Sequence, residues 1–388
     1  MKKVLIISDT PTHPTNTGNK MCILSYATLL QDMGYDVYFL YFTRERNSNT
    51  FTQNKDYWSD HFLSYQMSII QKAVIKIVRH LPFRCFSDIW LHEPWFIKSY
   101  IKQIQKKYKF DSVILNYIWL SKIANYFQGN TVLFTHDVFS YRNLRLKGNY
   151  WISCTPNEEA KCINRVKTVL AIQEQEAYYY KYLSYKANVY CMYSPFTFHK
   201  QEILNNKKLL FFSGSNILNI EGINHFIKNI FPELIKKFPD LELIIGGGIC
   251  KHLEKDLRTT QIILKGGFDN PADFYALGDI VINPVFNGTG LKIKTFEALS
   301  YGKTVLSSTH SMEGIFSPQS CPIYKADTID EYISHLTNIL STPHILTENK
   351  NKAKNYIDAL NQHIKDIRGS NPRTLTIFFK INFKKYKK

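Results

Sequence analysis

The stretch NGTGLKIKTFEALSYGKTV, residues 287–305, places two glycines and two lysines in front of a segment with helical spacing of apolar residues. The turn 287–290 can bring backbone N–H groups close to an anion, because the first N–H groups of a helix have no partner within it. Lys292 and Lys294 add mobile positive charge at the same place. This combination predicts an anion-binding site where the helix begins.

A carboxylate stands further along the same segment. Glu297 follows Gly290 by seven residues, which is about two turns of a helix. Its apolar neighbours predict burial, and acids are rarely buried without a partner. A carboxylate in this place can accept hydrogen bonds from the paired hydroxyls of a ribose, while the turn and the lysines hold a diphosphate. We therefore predict a nucleotide diphosphate as the anion; solvated lysines and an exposed acid are the alternative.

Small residues also end several predicted strands in this half of the chain. They form the runs SGS at 213–215, GGG at 246–248 and GG at 266–267. Glycine at a strand end lets the backbone approach a ligand closely, so these runs suit a nucleotide. For 246–248 a tight turn without a ligand is an equal alternative.

Alternating strand and helix patterns supply the elements that must position these residues. Short apolar strands are predicted at 3–8, 35–42, 112–115, 131–134, 166–172, 189–192, 209–215, 240–248, 261–268, 279–285 and 304–306. Helical patterns lie between them, among them 18–34, 219–238 and 347–368. Such alternation predicts an α/β fold with mainly parallel sheets. The pattern begins again near 194–207, so two α/β halves are predicted, with ligands bound beyond the strands' carboxyl ends in a cleft between the halves.

Length and cysteine content agree with a two-domain globular protein. The 388 residues suffice for two domains, and 44% hydrophobic with 21% charged residues is a globular composition. The seven cysteines are scattered without a CxxC pair, which argues against a disulfide scaffold or a zinc site. The first residues include too few apolar ones for a signal peptide, and no run suits a spanning helix. These features predict a cytoplasmic protein.

The net charge of +17 predicts an anionic partner. Basic and bulky apolar residues are interleaved in two stretches, QKAVIKIVRHLPFRCF at 71–86 and PRTLTIFFKINFKKYKK at 372–388. Such stretches suit an anionic membrane surface, where apolar side chains enter the headgroup layer and lysines meet lipid charge. We predict peripheral attachment to the inner face of the cytoplasmic membrane; a solvated basic face with a frayed terminus is the alternative.

Several of these stretches resemble motifs of one known family. The segment 287–305, followed by MEGI at 312–315, resembles a donor-binding segment, and LLFFSGSNILNIEGINHFIKNIFPEL resembles the strand and helix that open a second domain. In the first half, GNKMCILSYATLLQDMGYDV resembles a glycine turn, first helix and second strand, and LFTHDVFSYRNLR resembles a strand whose end carries a histidine facing the donor sugar. The family is the GT-B glycosyltransferases of family 4, and the likeness covers most of the chain.

The resemblance implies the GT-B fold, an α/β architecture of two Rossmann-like domains that face each other across a central cleft. It implies an N-terminal acceptor domain at 1–200 and a C-terminal nucleotide-sugar donor domain at 201–350. Residues 351–388 are then expected to form a helix that packs back on the N-terminal domain, followed by the basic-aromatic tail.

Individual positions match the family's motif residues. Glu297 matches the glutamate that binds ribose, and Thr289 stands where the family has an earlier glutamate, which leaves the contacts to the donor sugar's hydroxyls less defined. His136 matches the histidine near the transferred sugar. Gly18 matches the turn that approaches the reacting phosphate.

Two family positions differ in this chain. Where an arginine and a lysine often hold the diphosphate, this sequence has Ser215 and Asn219 or their neighbours, so the two lysines after the glycine turn are expected to supply that charge. Asp137 is expected to orient His136 or to bind the acceptor. The predicted catalytic residues are His136, Asp137, Lys292 and Lys294. The predicted donor-binding residues are Gly18, Ser213, Gly214, Ser215, Gly247, Gly267, Phe268, Gly288, Thr289, Gly290, Leu291 and Glu297.

The reaction that the resemblance implies is a retaining transfer of a sugar from a nucleotide-diphosphate sugar to a hydroxyl, with the acceptor attacking on the same face. Its main catalytic task is to stabilise negative charge on the departing diphosphate. The chain has no Asp-x-Asp motif, so neither an obligatory metal ion nor another cofactor is expected. Together with the membrane-seeking stretches, this predicts a lipid-linked glycan acceptor of a bacterial surface polysaccharide, such as lipopolysaccharide or capsule.

Three other classes compete with this interpretation. A nucleotide-sugar 2-epimerase has the same fold and differs in needing no acceptor. A two-domain solute-binding protein requires an export signal, which this sequence lacks. A nucleic-acid-binding protein suits the charge, but no module signature of that class is present, and we expect no nucleic acid as partner.

Overall fold

The computed structural model describes residues 1–15, 17–43, 48–81, 87–146, 148, 152–253, 259–268, 270–288 and 290–369. The chain divides into two compact units, Met1–Ser194 with Lys365–Lys388, and Pro195–Ile364. Each unit contains one parallel sheet.

The first unit is built on seven strands: β1 (Lys3–Ser8), β2 (Asp36–Thr43), β3 (Phe62–Gln66), β4 (Ser112–Asn116), β5 (Asn130–Phe134), β6 (Thr168–Ala171) and β7 (Asn188–Cys191). Their order in the sheet is β3-β2-β1-β4-β5-β6-β7, and every neighbouring pair is parallel. Its helices are α1 (Gly18–Asp32), α2 (Asn49–Trp58), α3 (Ile69–Arg79), α4 (Asp88–His92), α5 (Lys98–Tyr108), α6 (Arg142–Arg145), α7 (Pro156–Ile163) and α8 (Glu174–Leu183). Short 3-10 helices span Ser59–His61 and Ile118–Tyr126.

The second unit is built on six strands: β8 (Lys208–Phe212), β9 (Glu242–Gly246), β10 (Ile262–Gly266), β11 (Ile280–Asn283), β12 (Thr304–Ser307) and β13 (Ile323–Lys325). Their order is β10-β9-β8-β11-β12-β13, again parallel throughout. Its helices are α9 (Ile217–Asn229), α10 (Phe231–Lys237), α11 (Pro271–Tyr275), α12 (Ile293–Ser300), α13 (Ile329–Ser341) and α14 (His344–Gly369). Short 3-10 helices span Gly248–Lys251 and His310–Met312.

Most residues of the central strands are buried in both sheets. In β4 all residues are buried, and in β1 only Lys3 is partly exposed. Strands of a parallel sheet that is covered on both faces have continuous apolar sequences, which explains why KVLIIS and SVILN lack an alternating pattern. Short apolar runs were therefore the correct signal for these strands.

The strand order places the candidate residues at predictable positions. In both sheets the first five strands follow the order 3-2-1-4-5 of the Rossmann fold, so the predicted architecture of two Rossmann-like α/β domains is confirmed. The order reverses between β1 and β4 in the first sheet and between β8 and β11 in the second. Ligands of open parallel sheets bind outside the carboxyl ends of strands at such a switch point.

Three elements differ from the sequence pattern. β3 and β13 were not predicted, because both are sheet-edge strands whose residues are only partly buried or exposed and which lack a continuous apolar run. The single helix predicted at 219–238 is two helices that meet at Ile230. Pro232 lies in the first turn of α10, where its missing N–H is tolerated, whereas in a continuous helix it would remove a hydrogen bond.

Side chains of the long final helix α14 contact other elements of the second unit. Asn349 Nδ2 donates to Thr304 Oγ1 at 3.2 Å, and Asn361 Nδ2 donates to the Phe196 carbonyl at 2.6 Å. The unit boundary at Ile364 assigns most of this helix to the second unit. In the part of the chain that the structure describes, no helix combines the length and apolar character needed to cross a membrane.

Candidate functional site

The glycine turn before α12 has the conformation that its sequence predicts. Gly288 (φ 147°) and Gly290 (φ 70°) occupy backbone regions that residues with a Cβ rarely adopt. Lys292 is the N-cap of α12, and its Nζ donates to the Gly290 carbonyl at 3.1 Å. The lysine therefore folds back over the turn and brings its charge to the beginning of the helix. Thr289 lies outside the described residues, and Leu291 is partly buried.

The second lysine of this segment lies beside the opening helix of the unit. Lys294 Nζ donates to Asn219 Oδ1 at 3.2 Å and lies 5.0 Å from the centre of the Phe211 ring. Burial, with a smaller contribution from Lys292, lowers the pKa of Lys294 to about 7. The positive charges of Lys292 and Lys294 repel each other in a partly dehydrated place. An anion bound between them would offset this repulsion and raise the pKa of Lys294 back toward its ordinary value.

Glu297 is buried, as its apolar neighbours predict. The residue is only 7% exposed, and its Oε2 accepts a hydrogen bond from the Tyr275 hydroxyl at 3.1 Å. Burial raises the pKa of Glu297 to about 7, and the Tyr275 hydrogen bond offsets part of that increase. The carboxyl group is thus held ready for further hydrogen-bond donors, and a ribose diol offers two.

Aromatic rings connect Glu297 with the end of β10. The Tyr275 ring neighbours Phe274 at 5.7 Å, and Phe274 neighbours Phe268 at 5.3 Å. The Phe212 ring contacts this group at 4.8 Å from Phe274. Phe268, a predicted donor-binding residue, is partly buried at one end of this aromatic group, and Glu297 lies at the other.

Two kinds of glycine end the strands of the second sheet. Gly247 (φ 93°) is packed so tightly that a Cβ there would lie 2.2 Å from the Ser213 carbonyl oxygen, so backbone packing alone requires glycine. Gly214 and Gly267 have open space where a Cβ would be, and Ser215 is exposed. Contact of these residues with a nucleotide stays a prediction.

His136 lies in the first unit, directly after β5. It is a left-handed residue (φ 65°) and only 8% exposed. Its Nε2 lies 2.8 Å from Asn116 Oδ1, while Asn116 Nδ2 donates to the Ile7 carbonyl at 3.1 Å. Asn116 therefore presents its oxygen to the ring, which places the proton on Nε2 and leaves Nδ1 as an acceptor. Burial lowers the pKa of His136 to about 3, so the imidazole is neutral at physiological pH.

Tyr117 connects His136 with the first helix. The His136 and Tyr117 rings are stacked at 4.4 Å, and the Trp119 ring also stacks on Tyr117 at 4.6 Å. The Tyr117 hydroxyl accepts from Asn19 Nδ2 at 2.9 Å and from Thr10 Oγ1 at 3.3 Å. Sequence reasoning missed Asn116 and Tyr117, although both follow the predicted strand 112–115 and the strand-end argument applied to them too.

Gly18 begins α1 at the same edge of the first sheet. It is partly buried, and its N-cap Thr17 makes no side-chain capping bond to the helix. Asn19, the next residue, joins this helix start to Tyr117. The start of α1 and His136 thus both contact one tyrosine, Asn19 at its hydroxyl and His136 at its ring.

Asp137 pairs with an arginine of its own unit, and its predicted roles of orienting His136 or binding the acceptor stay predictions. Its Oδ2 lies 3.4 Å from Arg142 Nη2, and its carbonyl accepts from the Tyr180 hydroxyl at 2.7 Å. The hydrogen bond of the His136 ring at Nε2 is made with Asn116. Arg145, from the same short helix as Arg142, donates through its Nε to the Ser140 carbonyl at 3.0 Å.

Metal-ligating groups do not cluster in the described residues. No group of three or more histidine, cysteine, aspartate or glutamate side chains lies close enough there to hold a metal ion. The six cysteines within the described ranges are free thiols. That the reaction needs no divalent ion stays a prediction.

Comparisons with known proteins agree with this arrangement. A family model described as "Glycosyl transferases group 1" matches residues 206–342. An uncharacterized 44.6 kDa protein in the cps region of Klebsiella pneumoniae is 22% identical over 341 residues, which are 81% of this chain and 84% of that protein.

Solved structures share the fold over nearly the whole chain. Alr3699/HepE of Anabaena, in complex with UDP and glucose, has a TM-score of 0.62 at 15% identity and covers 96% of this chain and 100% of that one. WaaG, a glycosyltransferase involved in lipopolysaccharide biosynthesis, has a TM-score of 0.60 at 14% identity and covers 94% of this chain and 99% of that one. Residues 206–342 therefore form a glycosyl transferases group 1 domain, and the chain as a whole shares the GT-B fold of these glycosyltransferase structures.

Proposed function

We propose that this enzyme moves a sugar from a nucleotide-diphosphate sugar to a hydroxyl of a glycan acceptor during bacterial surface polysaccharide biosynthesis. The observation that carries the proposal is the segment 288–297, where a glycine turn, two lysines and a buried glutamate follow one another at the edge of the second sheet. The relative from a cps region and the fold shared with WaaG support the biosynthetic context. The fold shared with a UDP-bound HepE supports a nucleotide donor.

The turn and the lysines would stabilise the leaving group. When the bond from sugar to diphosphate breaks, negative charge grows on the phosphate oxygens. Donors already aimed at that charge give the largest catalytic contribution, because they need no reorganisation during the reaction. Lys292 and Lys294 supply the cations, and the backbone amides where α12 begins supply neutral donors.

Glu297 and the first unit would position the donor's other parts. The Glu297 carboxylate would accept hydrogen bonds from the ribose hydroxyls, while the Tyr275 hydroxyl, which donates to Oε2, holds the carboxylate in place. His136 offers Nδ1 of a neutral ring to a hydroxyl of the transferred sugar. Retention of the anomeric configuration, through attack on the same face, belongs to this proposal and can be checked by NMR of the product.

A membrane-bound acceptor is the finer part of the proposal. Helix α3 exposes Ile69, Ile70 and Ile77, which are 83%, 65% and 62% exposed, on the same helix as Lys72 and Lys76. Exposed apolar side chains flanked by lysines match an anionic membrane surface, where both kinds of side chain find partners. The predicted basic residues at 82–86 and the tail 372–388 lie outside the described residues.

Vesicle sedimentation tests the membrane part. The protein should sediment with vesicles containing phosphatidylglycerol and much less with pure phosphatidylcholine. The double variant Ile69→Ser/Ile77→Ser should weaken that binding several-fold, whereas Leu144→Ser, which changes an exposed leucine of the same unit, should not. Equal sedimentation of the double variant and the wild type would exclude α3 as the contact.

A thermal-shift panel tests the donor class. UDP, GDP, CDP and ADP and their common sugar conjugates are added to wild type and to Glu297→Ala. A nucleotide that binds the folded state raises the melting temperature by mass action. One nucleotide should stabilise the wild type and stabilise the variant less. If no nucleotide shifts a well-folded sample, the proposed donor site is wrong.

An acceptor requirement separates transfer from epimerisation. With the stabilising sugar nucleotide, the enzyme should release nucleoside diphosphate only slowly until a glycan acceptor extract is added. Conversion of the sugar nucleotide to its 2-epimer without an acceptor would support the epimerase instead. Repeating the transfer assay with a chelator tests the expected independence from divalent ions.

A further inference from the structure

We infer that His310 is a further diphosphate-contacting residue of the donor site, with its Nε2 directed at the anion held over the glycine turn. The inference rests on the proposed function and adds one residue to it. His310 opens the short 3-10 helix His310–Met312, which follows β12. No part of the sequence reasoning singled out this histidine.

Distances around Gly288 carry the inference. A Cβ built on Gly288 would lie 3.3 Å from Lys292 Nζ and 3.7 Å from His310 Nε2. The ammonium of one side chain and the ring nitrogen of another therefore both lie close to Gly288, a position of the turn that has no side chain. A ligand atom that approaches the backbone at Gly288 would therefore lie near both nitrogens.

The other ring nitrogen already has a partner. His310 Nδ1 lies 3.2 Å from Glu313 Oε1, so the carboxylate fixes the ring orientation, and an anion that approaches Nε2 would bind to the N–H of the imidazolium form. Nε2 itself is buried and has no hydrogen-bond partner among the described residues. A buried polar atom without a partner costs free energy, and a phosphate oxygen would remove that cost.

The turn that carries His310 is anchored to the same segment as the glycine turn. Ser311 Oγ donates to the Val285 carbonyl at 2.7 Å, and Ser308 Oγ donates to the same carbonyl. Val285 lies between β11 and Gly288, so one backbone carbonyl ties the two loops together. His310 is therefore positioned relative to the glycine turn by the fold and does not depend on a ligand for its placement.

A purely structural role is the competing explanation, in which His310 only closes its turn with Glu313. Three probes separate the two: UDP, inorganic pyrophosphate and uridine, measured by calorimetry on wild type, His310→Leu and His310→Gln. His344→Leu is the matched control, because it changes an exposed histidine of the same unit. If His310 contacts the diphosphate, His310→Leu should weaken UDP and pyrophosphate about tenfold, the size of one charge-assisted hydrogen bond.

The other measurements give the results that support or contradict the inference. Uridine binding should be unchanged in His310→Leu, and His310→Gln, which retains an N–H donor, should recover part of the loss. If wild type binds UDP and His310→Leu binds it equally well, the inference is wrong while the proposed function stands. If wild type binds neither pyrophosphate nor any of the nucleoside diphosphates of the thermal-shift panel, both are wrong. If the leucine variant does not fold, a pyrophosphate-induced shift of the ring NMR signal that is missing in His310→Gln decides the matter.

Discussion

The two sheets have the same strand order at their centres and differ at their carboxyl edges. At the edge of the second sheet, glycines and lysines surround a position that a ligand can approach. At the edge of the first sheet, the stacked rings of Trp119, Tyr117 and His136 are fixed by hydrogen bonds from two other elements. We interpret the second edge as suited to bind an anion and the first as suited to hold the His136 ring in one orientation.

Acid–base properties follow the same division. At the second edge, burial lowers the pKa of Lys294 and raises that of Glu297, each to about 7. At the first edge, burial lowers the pKa of His136 to about 3. A change of pH near neutrality should therefore alter the second edge and leave His136 neutral. Similar topology does not give similar electrostatics, because the loops decide which groups are dehydrated.

The largest expected effect comes from removing the charge at the second edge. Lys292→Ala/Lys294→Ala should lower kcat/KM about a thousandfold, because the diphosphate would leave without cationic stabilisation. Steady-state kinetics at one fixed salt concentration measure the loss. The control Lys228→Ala/Lys237→Ala removes two exposed lysines of the same unit and should leave activity within twofold. A loss below tenfold in the first variant would refute the proposed role of the pair.

The first edge should show a different kinetic signature. His136→Ala should lower kcat about a hundredfold, because the sugar loses its positioning contact. UDP affinity should stay unchanged, since the proposed diphosphate contacts belong to the other edge. Kinetics and calorimetry on one preparation distinguish the two quantities, with His80→Ala, an exposed histidine of the same unit, as control. Weaker UDP binding in His136→Ala would contradict the division between the edges.

Nucleotide affinity should depend on pH through the second edge. Below about 7 Glu297 is protonated and loses capacity to accept from ribose, so affinity should rise as pH rises through that value. Above about 7 Lys294 loses its proton, so affinity should fall again. UDP calorimetry from pH 5.5 to 8.5 should show a maximum with changes of about tenfold on each side. Glu297→Gln should abolish only the acidic limb; an unchanged profile would show that Glu297 does not titrate on binding.

The smallest expected effect concerns the hydroxyl that supports Glu297. Tyr275→Phe removes the donor to Oε2 and should lower the free energy of unfolding by about 1 kcal/mol, the contribution of one hydrogen bond. Urea denaturation measures it. Without that donor the pKa of Glu297 should rise further, which moves the acidic limb of UDP binding to higher pH. Tyr178→Phe, at an exposed tyrosine, is the control and should change neither quantity.

Local sequence patterns were enough for most of the fold and for the charged part of the site. Continuous apolar runs located the buried strands, and glycines before a helical pattern located the turn at Gly288 and Gly290. The supporting residues were beyond such patterns, because their partners are distant in sequence. Asn19 and Tyr117 are 98 positions apart, and Lys294 meets Asn219 across 75 positions. Only the fold brings such pairs together, so only the structure could show them.

The position of β1 at the centre of its sheet has a consequence for biosynthesis. β1 is made well before β4, with which it pairs on one side, and the Lys3 N–H donates to the Asp111 carboxylate 108 positions later. At about 5–20 residues per second of translation, that partner arrives on the order of ten seconds after β1 leaves the ribosome. During this interval one edge of an almost entirely apolar strand lacks its neighbour, so the nascent chain should rely on chaperones at this stage.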